Sequence, residues 1–274
     1  MKHTPTQIRE IIQSKVIGKV KACHSETGHW YSFENGLGLT PSVTSKNIIN
    51  KPHLIPWAIG LAIDFLEAGD NWMRLKGPER EDLLKSAKLQ YRDVRDSAGT
   101  IGGFSHKVIE DWEAEWIKTG VRPASILDFI PKDSAPQVIG SCRSAEQVFN
   151  KYKVTPVAFE LLVGVKGLGA GTLDLIVMNE KGELELWDWK TSNQVNDYYA
   201  IQTAAYCHFF ERMTGLKIKR IKILKIDKWS DRFKVYNVPN HKQAYKAFKA
   251  VSAVYDWLNN GEDKLTEDKL IVKI

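Results

Sequence analysis

Hydrophobic and polar positions divide the chain near residue 155 into a mainly helical part and a part richer in strands. Before that point, apolar residues recur at the three- and four-residue spacing of amphipathic helices, and after it short apolar runs are bounded by turn residues. The pattern predicts long helices at Leu54–Ala68, Glu79–Ser97, Phe104–Thr119, Asn196–Met213 and His241–Leu258. It predicts strands at Val157–Val165, Gly171–Asn179, Glu183–Lys190, Ile218–Asp227 and Phe233–Val238. The second part therefore has the order β-β-β-α-β-β-α, which is typical of a central sheet with helices packed against it.

Shorter elements complete the first part of the chain. A hairpin is expected over His29–Thr40, turning at Asn35–Gly36, because Asn and Gly accept the positive φ angles of tight hairpin turns. Ser42 or Thr44 is suited to cap a short helix that ends before Pro52.

The middle of the chain carries the weakest pattern. Three prolines make residues 120–142 an expected irregular segment, after which Ser144 is suited to cap a helix that ends at Tyr152. We expect a hairpin and helical region over 1–100 that forms a cap or arch, and a compact α/β core over 101–274.

Composition limits the class of protein. The 274 residues are 43% hydrophobic and 26% charged, which excludes a disordered or fibrous chain, and the net charge of +6 suits a polyanionic partner. Cys23, Cys142 and Cys207 are widely spaced, which argues against an iron–sulfur cluster, a cysteine zinc knuckle and a disulfide framework. Since apolar runs long enough for a membrane span and a secretory signal are both missing, we expect a soluble intracellular protein without a membrane partner.

Three charged residues on two neighbouring strands carry the strongest chemical signal. Asp174 interrupts an apolar strand, where an ionised carboxylate is costly unless it is paired or bound to a metal. Asp188 and Lys190 are two residues apart in the next strand, so they face the same side, and hairpin pairing brings Asp174 close to Asp188. Two carboxylates beside an ammonium suit metal-assisted phosphodiester hydrolysis. The alternative is a buried Asp–Lys ion pair next to an unrelated aspartate.

These residues resemble the core motif of the PD-(D/E)XK nuclease superfamily. Gln202 and Tyr206 form a Gln-x-x-x-Tyr pattern typical of its RecB-like branch, which includes phage-type exonucleases and the mitochondrial genome maintenance exonuclease. Residues 102–110 are similar to the Gly-Thr-x-x-His helix start of that branch, although Gly103 stands in place of the threonine and no proline precedes Asp174. The resemblance implies a restriction-endonuclease-like α/β core, a central mixed sheet flanked by helices, with a helical N-terminal region.

The resemblance also implies roles for individual residues. The metal would be Mg²⁺, with Mn²⁺ as a substitute, and its ligands would be His106, Asp174, Asp188 and the backbone carbonyl of Trp189. Lys190 would position the attacking water, Glu160 would lie near the metal, and Gln202 and Tyr206 would brace the site or the substrate backbone. The structural alternatives are an ion pair of Glu160 with Lys166 and simple packing of Gln202 and Tyr206 against the sheet. Glu110 lies one turn beyond His106 and could orient it, but we interpret Glu110 as a solvated surface residue.

Two further surfaces are candidates for contact with nucleic acid. Lysines and isoleucines alternate over residues 217–228, which we interpret as an edge strand protected by charge rather than as a phosphate-binding surface. Trp112 and Trp116 are expected to be buried, and Trp187 and Trp189 to face away from the metal against a helix. Other aromatic residues of the N-terminal region are candidates to stack single-stranded bases under an arch.

The combined prediction is a Mg²⁺-dependent DNA exonuclease that acts from free ends, with single-strand preference, in recombination, repair or replication. The resemblance favours a phage or bacterial cytoplasmic setting over a mitochondrial one, and recombination or replication proteins as further partners. The alternatives are a structure-specific endonuclease on the same core and a catalytically silent nucleic-acid-binding module.

Overall fold

A five-stranded sheet with helices on both faces forms the centre of the computed structural model, which describes residues 3–25, 28–34, 39–46, 54–69 and 72–260. The helices of the described residues are α1 Pro5–Lys15, α2 Val43–Lys46, α3 Leu54–Glu67, α4 Gly77–Thr119, α5 Pro136–Lys151, α6 Asp197–Thr214 and α7 His241–Asn260, with a 3₁₀ turn at Ile126–Phe129. The strands are β1 Val20–Ser25, β2 Gly28–Phe33, β3 Thr40–Pro41, β4 Val154–Val165, β5 Gly169–Asn179, β6 Leu184–Lys190, β7 Ile218–Ile226 and β8 Phe233–Asn237.

The central sheet has the order β4-β5-β6-β7-β8. Its neighbours are antiparallel except β6 and β7, which are parallel and are joined by α6. A crossover helix is the usual way to connect parallel neighbours. The prediction of a mixed sheet flanked by helices is confirmed. A smaller antiparallel sheet, β1-β2-β3, contacts the central one through a bridge between Ser42 and Ala170.

Two hydrophobic cores lie on opposite faces of the central sheet. On one face α6, α1 and α7 pack against the sheet around Phe209, Phe210 and Phe248. On the other, α4 and α5 pack against it around Trp112 and Phe149, which are in ring contact with centroids 5.0 Å apart. Burial of these aromatic side chains supplies much of the stabilisation on each face.

The tryptophans of β6 belong to the second core, as predicted. Trp187 and Trp189 are both buried and lie 5.5 and 5.9 Å from the ring of Phe149. Trp112 and Trp116 are buried in the same cluster. The predicted orientation of all four indoles is confirmed, and the alternate residues of β6 are left to face α6.

Helix α4 is longer than the sequence pattern suggested. The two predicted helices, Glu79–Ser97 and Phe104–Thr119, are one continuous helix of 43 residues, so the expected interruption was wrong. Each interior glycine costs a helix about 1 kcal/mol, but α3 packs along the N-terminal half and the sheet and α5 pack along the other half. Those contacts outweigh the propensity of the glycines. The helix ends at Gly120, whose φ of 72° suits a left-handed cap.

Helix α5 begins earlier than predicted. It starts at Pro136, within the segment that was expected to be irregular, and Ser144 lies inside it rather than at its start. The Ser144 hydroxyl is buried and lies 2.7 Å from the carbonyl oxygen of Arg232, so it bonds to the β7–β8 connection instead of capping a helix. Gly140 allows this approach, because a Cβ at that position would lie 2.1 Å from the carbonyl oxygen of Lys228.

The basic strand β7 is an interior strand, so its interpretation as a sheet edge was wrong. Its Lys222 is nearly buried, pairs with Glu185 at 2.7 Å, and lies over the rings of Tyr152 and Trp187. The ion pair and the two rings compensate the burial of that ammonium. The short strand β8 forms the edge instead.

Two N-terminal elements were not anticipated, namely α1 and β1, and β2 pairs with both β1 and β3. The pairing of Tyr31 with Thr40 agrees with the predicted hairpin, whose Asn35–Gly36 turn lies outside the described residues. The short predicted helix is described as α2, and its remainder before Pro52 also lies outside. Within the part of the chain that the structure describes, no helix is long and apolar enough to cross a membrane.

Candidate metal centre

An irregularity shared by β4 and β5 sets the position of the site. The two strands pair on either side of Glu160 and Asp174, at Phe159 with Leu175 and at Leu161 with Leu173. Leu173 packs in the core beneath α6, whereas Leu175 packs in the core beneath α4. Side chains two residues apart in a regular strand would share one face. The backbone therefore changes face at this point, and Glu160 and Asp174 point into neither core.

Glu160 carries the backbone signature of that change. Its φ is 43°, the one positive value at a non-glycine residue in the described part of the chain. Such a conformation is unfavourable for a residue with a Cβ and clusters at functional sites. Burial, together with the nearby charges of Asp174 and Glu110, raises the pKa of the Glu160 carboxyl to about 8.

Asp174 takes the place of a strand-to-strand bond. Pairing of β5 with β6 ends at Leu175 and Trp187, and beyond it the Oδ2 atom of Asp174 accepts the Trp189 N–H at 2.8 Å. The carboxylate thus satisfies a backbone donor where the two strands separate. Burial raises the pKa of Asp174, although Lys190 and the Trp189 N–H oppose the rise.

Asp188 and Lys190 lie on the α6 side of β6, as their spacing predicted. The Oδ2 atom of Asp188 is 2.5 Å from Lys190 Nζ, and the Asp188 residue is 1% exposed. Burial raises the pKa of Asp188 to about 6 despite this ion pair. The pKa of Lys190 is also raised, because the charges of Asp188 and Asp174 outweigh the effect of burial. The ammonium therefore stays protonated, and it lies 5.0 Å from the centre of the Tyr199 ring.

Helix α4 supplies the imidazole of the site. His106 lies on the helix face that meets the end of β6, and the Trp189 carbonyl is its hydrogen-bond partner. Burial, and then the charge of Lys190, lower the pKa of His106, which favours the neutral form that binds metals. Metal-binding histidines commonly use their second nitrogen to bond a backbone carbonyl in this way.

The predicted residues meet as a group of potential metal ligands. One ligand atom each from His106, Glu160 and Asp174 lie within 4.8 Å of one another. Carboxylate and imidazole donors suit a divalent cation. Burial raises the pKa of both Glu160 and Asp174, and crowding against Asp174 adds to the rise at Glu160, while the charge of Lys190 opposes the rise at both. A cation held between them would relieve that crowding, so the residues fit a metal.

The Trp189 carbonyl has hydrogen-bond partners in this structure. Besides the bond with His106, it accepts a hydrogen bond from Lys190 Nζ at 3.2 Å. Its role as a metal ligand, and that of Asp188, stay predictions.

Helix α6 contributes the Gln-x-x-x-Tyr pair. Gln202 Nε2 donates to the Tyr206 hydroxyl at 3.0 Å, and Thr44 bonds the same hydroxyl from α2. Tyr206 is buried against Gly171, where a Cβ would lie 2.7 Å from its ring. The pair therefore packs α6 against β5 next to Asp188 and Lys190.

A further carboxylate on α4 was missed. Glu113 is 1% exposed and lies seven residues after His106, two helical turns along the same face. Burial, and then the charge of Asp174, raise its pKa well above the usual range. The seven-residue spacing from His106 was the available signal. Glu110, between them, is partly buried and pairs with Lys107 at 3.5 Å.

Comparison with known proteins agrees with this geometry. Residues 90–269, more than half of the chain, match the family model of the PD-(D/E)XK nuclease superfamily. The chain belongs to that superfamily, whose members are nucleases that use divalent metals. The matched residues include α4 from Gln90 onward and every strand of the central sheet.

Other comparisons are weak. The solved structure "Crystal structure of SSO0001" is similar to the chain with a TM-score of 0.29 and 13% identity, over 58% of this chain and 75% of that one. At that TM-score the likeness carries no argument. The chain has no match among the curated proteins.

Proposed function

We propose that the protein is a Mg²⁺-dependent deoxyribonuclease that acts as an exonuclease from free DNA ends, with a preference for single strands. The observation that carries the proposal is the convergence of His106, Glu160 and Asp174 beside the Asp188–Lys190 ion pair. The superfamily match supports the coarser statement that the chain is a nuclease.

Each side chain has a role in this proposal. His106, Glu160 and Asp174 hold the cation, with Asp188 next to them. The cation supplies Lewis-acid stabilisation of the charge on the phosphate and lowers the pKa of a bound water. Lys190 stays protonated and donates hydrogen bonds that orient the attacking water or stabilise the developing charge. Gln202 and Tyr206 keep α6 in register with β5, which fixes the position of Lys190.

The exonuclease mode and the single-strand preference rest on the resemblance to the RecB-like branch, through Gln202, Tyr206 and His106. The same resemblance supports a role in recombination, repair or replication, within a bacterial or phage-infected cell. The N-terminal helices α3 and α4 would then form the arch that admits a free end.

Cleavage of matched substrates tests the proposal. Single- and double-stranded DNA, each linear and circular, are incubated with Mg²⁺, with Mn²⁺ or with EDTA. Loss of linear DNA alone, in Mg²⁺ or Mn²⁺ but not in EDTA, is the expected result, and the labelled end reports the polarity.

Two variants control the assay. Lys190→Ala should reduce cleavage by about 10²-fold or more, whereas Lys219→Ala removes an exposed lysine of the same sheet and should leave cleavage unchanged. Cutting of covalently closed circles would instead identify an endonuclease. DNA binding by folded protein without metal-dependent cleavage would identify a silent module.

A further inference from the structure

One face of α4 extends the metal centre away from the sheet. Residues three or four apart share a helix face, and the face that ends at the metal centre contains Lys88, Arg92, Arg95, Gly99, Gly102 and His106. The spacing is maintained without a break because α4 is one continuous helix. We refer to these six residues as the α4 stripe.

The outer half of the α4 stripe is cationic and exposed. Lys88, Arg92 and Arg95 are all exposed to solvent, and Arg95 pairs with the neighbouring Asp96 at 2.8 Å. Asp93 is turned about 100° away from Arg92 around the helix, whereas Asp96 follows Arg92 by four residues and so lies close to it. The three basic side chains therefore share one direction, and Asp96 lies at the border of that face beside Arg92 and Arg95.

Basic residues outnumber acidic ones along this face of the helix. Opposite charges four residues apart stabilise an isolated helix, and like charges at that spacing destabilise it. Lys88 and Arg92 are like charges four residues apart, and Arg95 follows three residues later. Asp96 offsets part of this repulsion, and three cations with one carboxylate leave a net positive face that suits a polyanion.

Gly99, in the inner half of the stripe, borders open space. A Cβ added at Gly99 would meet nothing within 4 Å, so packing does not explain a glycine at this helix position. Glycine inside a helix is unfavourable, and one common reason for it is the close approach of a ligand to the backbone. Gly99 therefore leaves the path open beside Arg95, and nearer to His106 the Thr191 hydroxyl oxygen lies 3.0 Å from the position that a Cβ of Gly102 would take.

We propose that a single strand of nucleic acid runs along the α4 stripe, with its phosphates on Lys88, Arg92 and Arg95 and its backbone passing Gly99 to reach the metal centre. This inference rests on the proposed nuclease function. At 1.5 Å per residue, Arg95 lies about 16 Å and Lys88 about 27 Å from His106 along the helix axis. At 3.4 Å per phosphate of a stacked strand, that distance corresponds to roughly five to eight nucleotides beyond the scissile bond.

Binding of a labelled single-stranded oligonucleotide in EDTA tests the surface without cleavage. The stripe variant combines Lys88→Gln, Arg92→Gln and Arg95→Gln. The matched control combines Arg80→Gln, Lys118→Gln and Lys132→Gln, which remove the same charge from exposed positions outside the stripe. Loss of three phosphate contacts should lower the slope of log K against log salt by about 2 in the stripe variant, while the control keeps the wild-type slope.

Cleavage as a function of substrate length is the second measurement. The stripe variant should lose its activity advantage on strands of about 15 nucleotides and keep wild-type activity on strands of about 4, which end before Arg95. Equal slopes and equal length dependence for both variants would overturn the proposed path, even if the wild type cleaves DNA. A wild type that binds through the stripe but does not cleave in Mg²⁺ or Mn²⁺ would overturn the nuclease function and keep the binding surface.

Discussion

Removal of the Glu160 charge should stabilise the metal-free protein at alkaline pH. Burial and the neighbouring charges of Asp174 and Glu110 raise the pKa of Glu160 to about 8, from an ordinary value near 4.5. Between those two values the folded protein keeps a proton that the unfolded chain has lost. The free energy of unfolding therefore falls as the pH rises through this window and is lowest above about pH 8.

The size of the effect follows from the two pKa values. A difference of one pH unit corresponds to about 1.4 kcal/mol, so the full window gives an upper bound of about 5 kcal/mol. Glu160 is partly exposed, and its titration depends on the nearby charge of Asp174. Solvent screening and that coupling reduce the expected loss to roughly 1 to 3 kcal/mol.

Urea unfolding of wild type and Glu160→Gln in EDTA, at several pH values from 5 to above 8, measures the difference. The two proteins should unfold at similar urea concentrations near pH 5, and the variant should be more stable by roughly 1 to 3 kcal/mol above pH 8. Glu180→Gln is the matched control, because Glu180 is exposed and its distant pairing with Lys153 contributes little.

A divalent cation should reverse the order of stability, so that the wild type becomes more stable than Glu160→Gln. At about 100 times its dissociation constant, a cation stabilises the wild type by about 2.7 kcal/mol, and Glu160→Gln should gain less because it lacks a ligand. Parallel pH profiles for wild type and variant in EDTA, or equal stabilisation of both by Mn²⁺, would refute the placement of Glu160 among crowded metal ligands.

Three other substitutions test the site and its support. Lys190→Ala should reduce DNA cleavage by about 10²-fold or more, and it should destabilise the fold by about 3 to 5 kcal/mol because Asp188 loses its buried counter-ion. Cleavage assays measure the first effect and urea unfolding measures the second. Undiminished cleavage would exclude the role assigned to Lys190. Gly171→Ala should cost about 1 to 3 kcal/mol, since its Cβ would lie 2.7 Å from the Tyr206 ring; unchanged stability in thermal unfolding would contradict the packing of α6 on β5. Gly103→Ala, whose Cβ meets nothing within 4 Å, should stabilise α4 by up to about 1 kcal/mol in the same assay, and a destabilised variant would contradict the continuous helix.

Local residue spacing was sufficient to predict where the charged and aromatic side chains of β5 and β6 lie. Alternation predicted that Asp188 and Lys190 share a face and that Trp187 and Trp189 occupy the other, and the structure has this arrangement. Hairpin pairing brought Asp174 to the same end of the sheet. These features depend only on strand periodicity and on a short connection, which a sequence states directly.

Features that depend on tertiary contacts were not predictable in the same way. The continuity of α4 through Gly99 and Gly103 is decided by α3, α5 and the sheet, whereas the local propensity of the glycines favours an interruption. The buried position of Ser144 likewise depends on the β7–β8 connection, which is distant in the sequence. A polar residue before an apolar run gives the same local sequence pattern in two cases. It can cap the start of a helix, or it can lie inside a helix and bond to a distant loop.

The burial of individual acidic residues was also not predictable from the sequence. Glu113 has the spacing of a helix face shared with His106, yet the same spacing occurs on solvated helices. Its depth follows from the two tryptophans beside it, Trp112 and Trp116, which draw that part of α4 into the core beneath the sheet. The left-handed backbone of Glu160 has no sequence signal, because it arises where two paired strands change face together.

That change of face explains why the candidate ligands lie where they do. A regular β5 would direct the Asp174 carboxylate wholly toward one core, where its charge would be costly. Because Leu173 and Leu175 pack on opposite faces, Asp174 lies at the boundary between the two cores, where β5 and β6 separate and α4 brings His106. Its bond to the Trp189 N–H replaces the ladder bond that is lost at this separation. The same irregularity therefore opens the sheet, satisfies its exposed donor and presents a carboxylate to a cation.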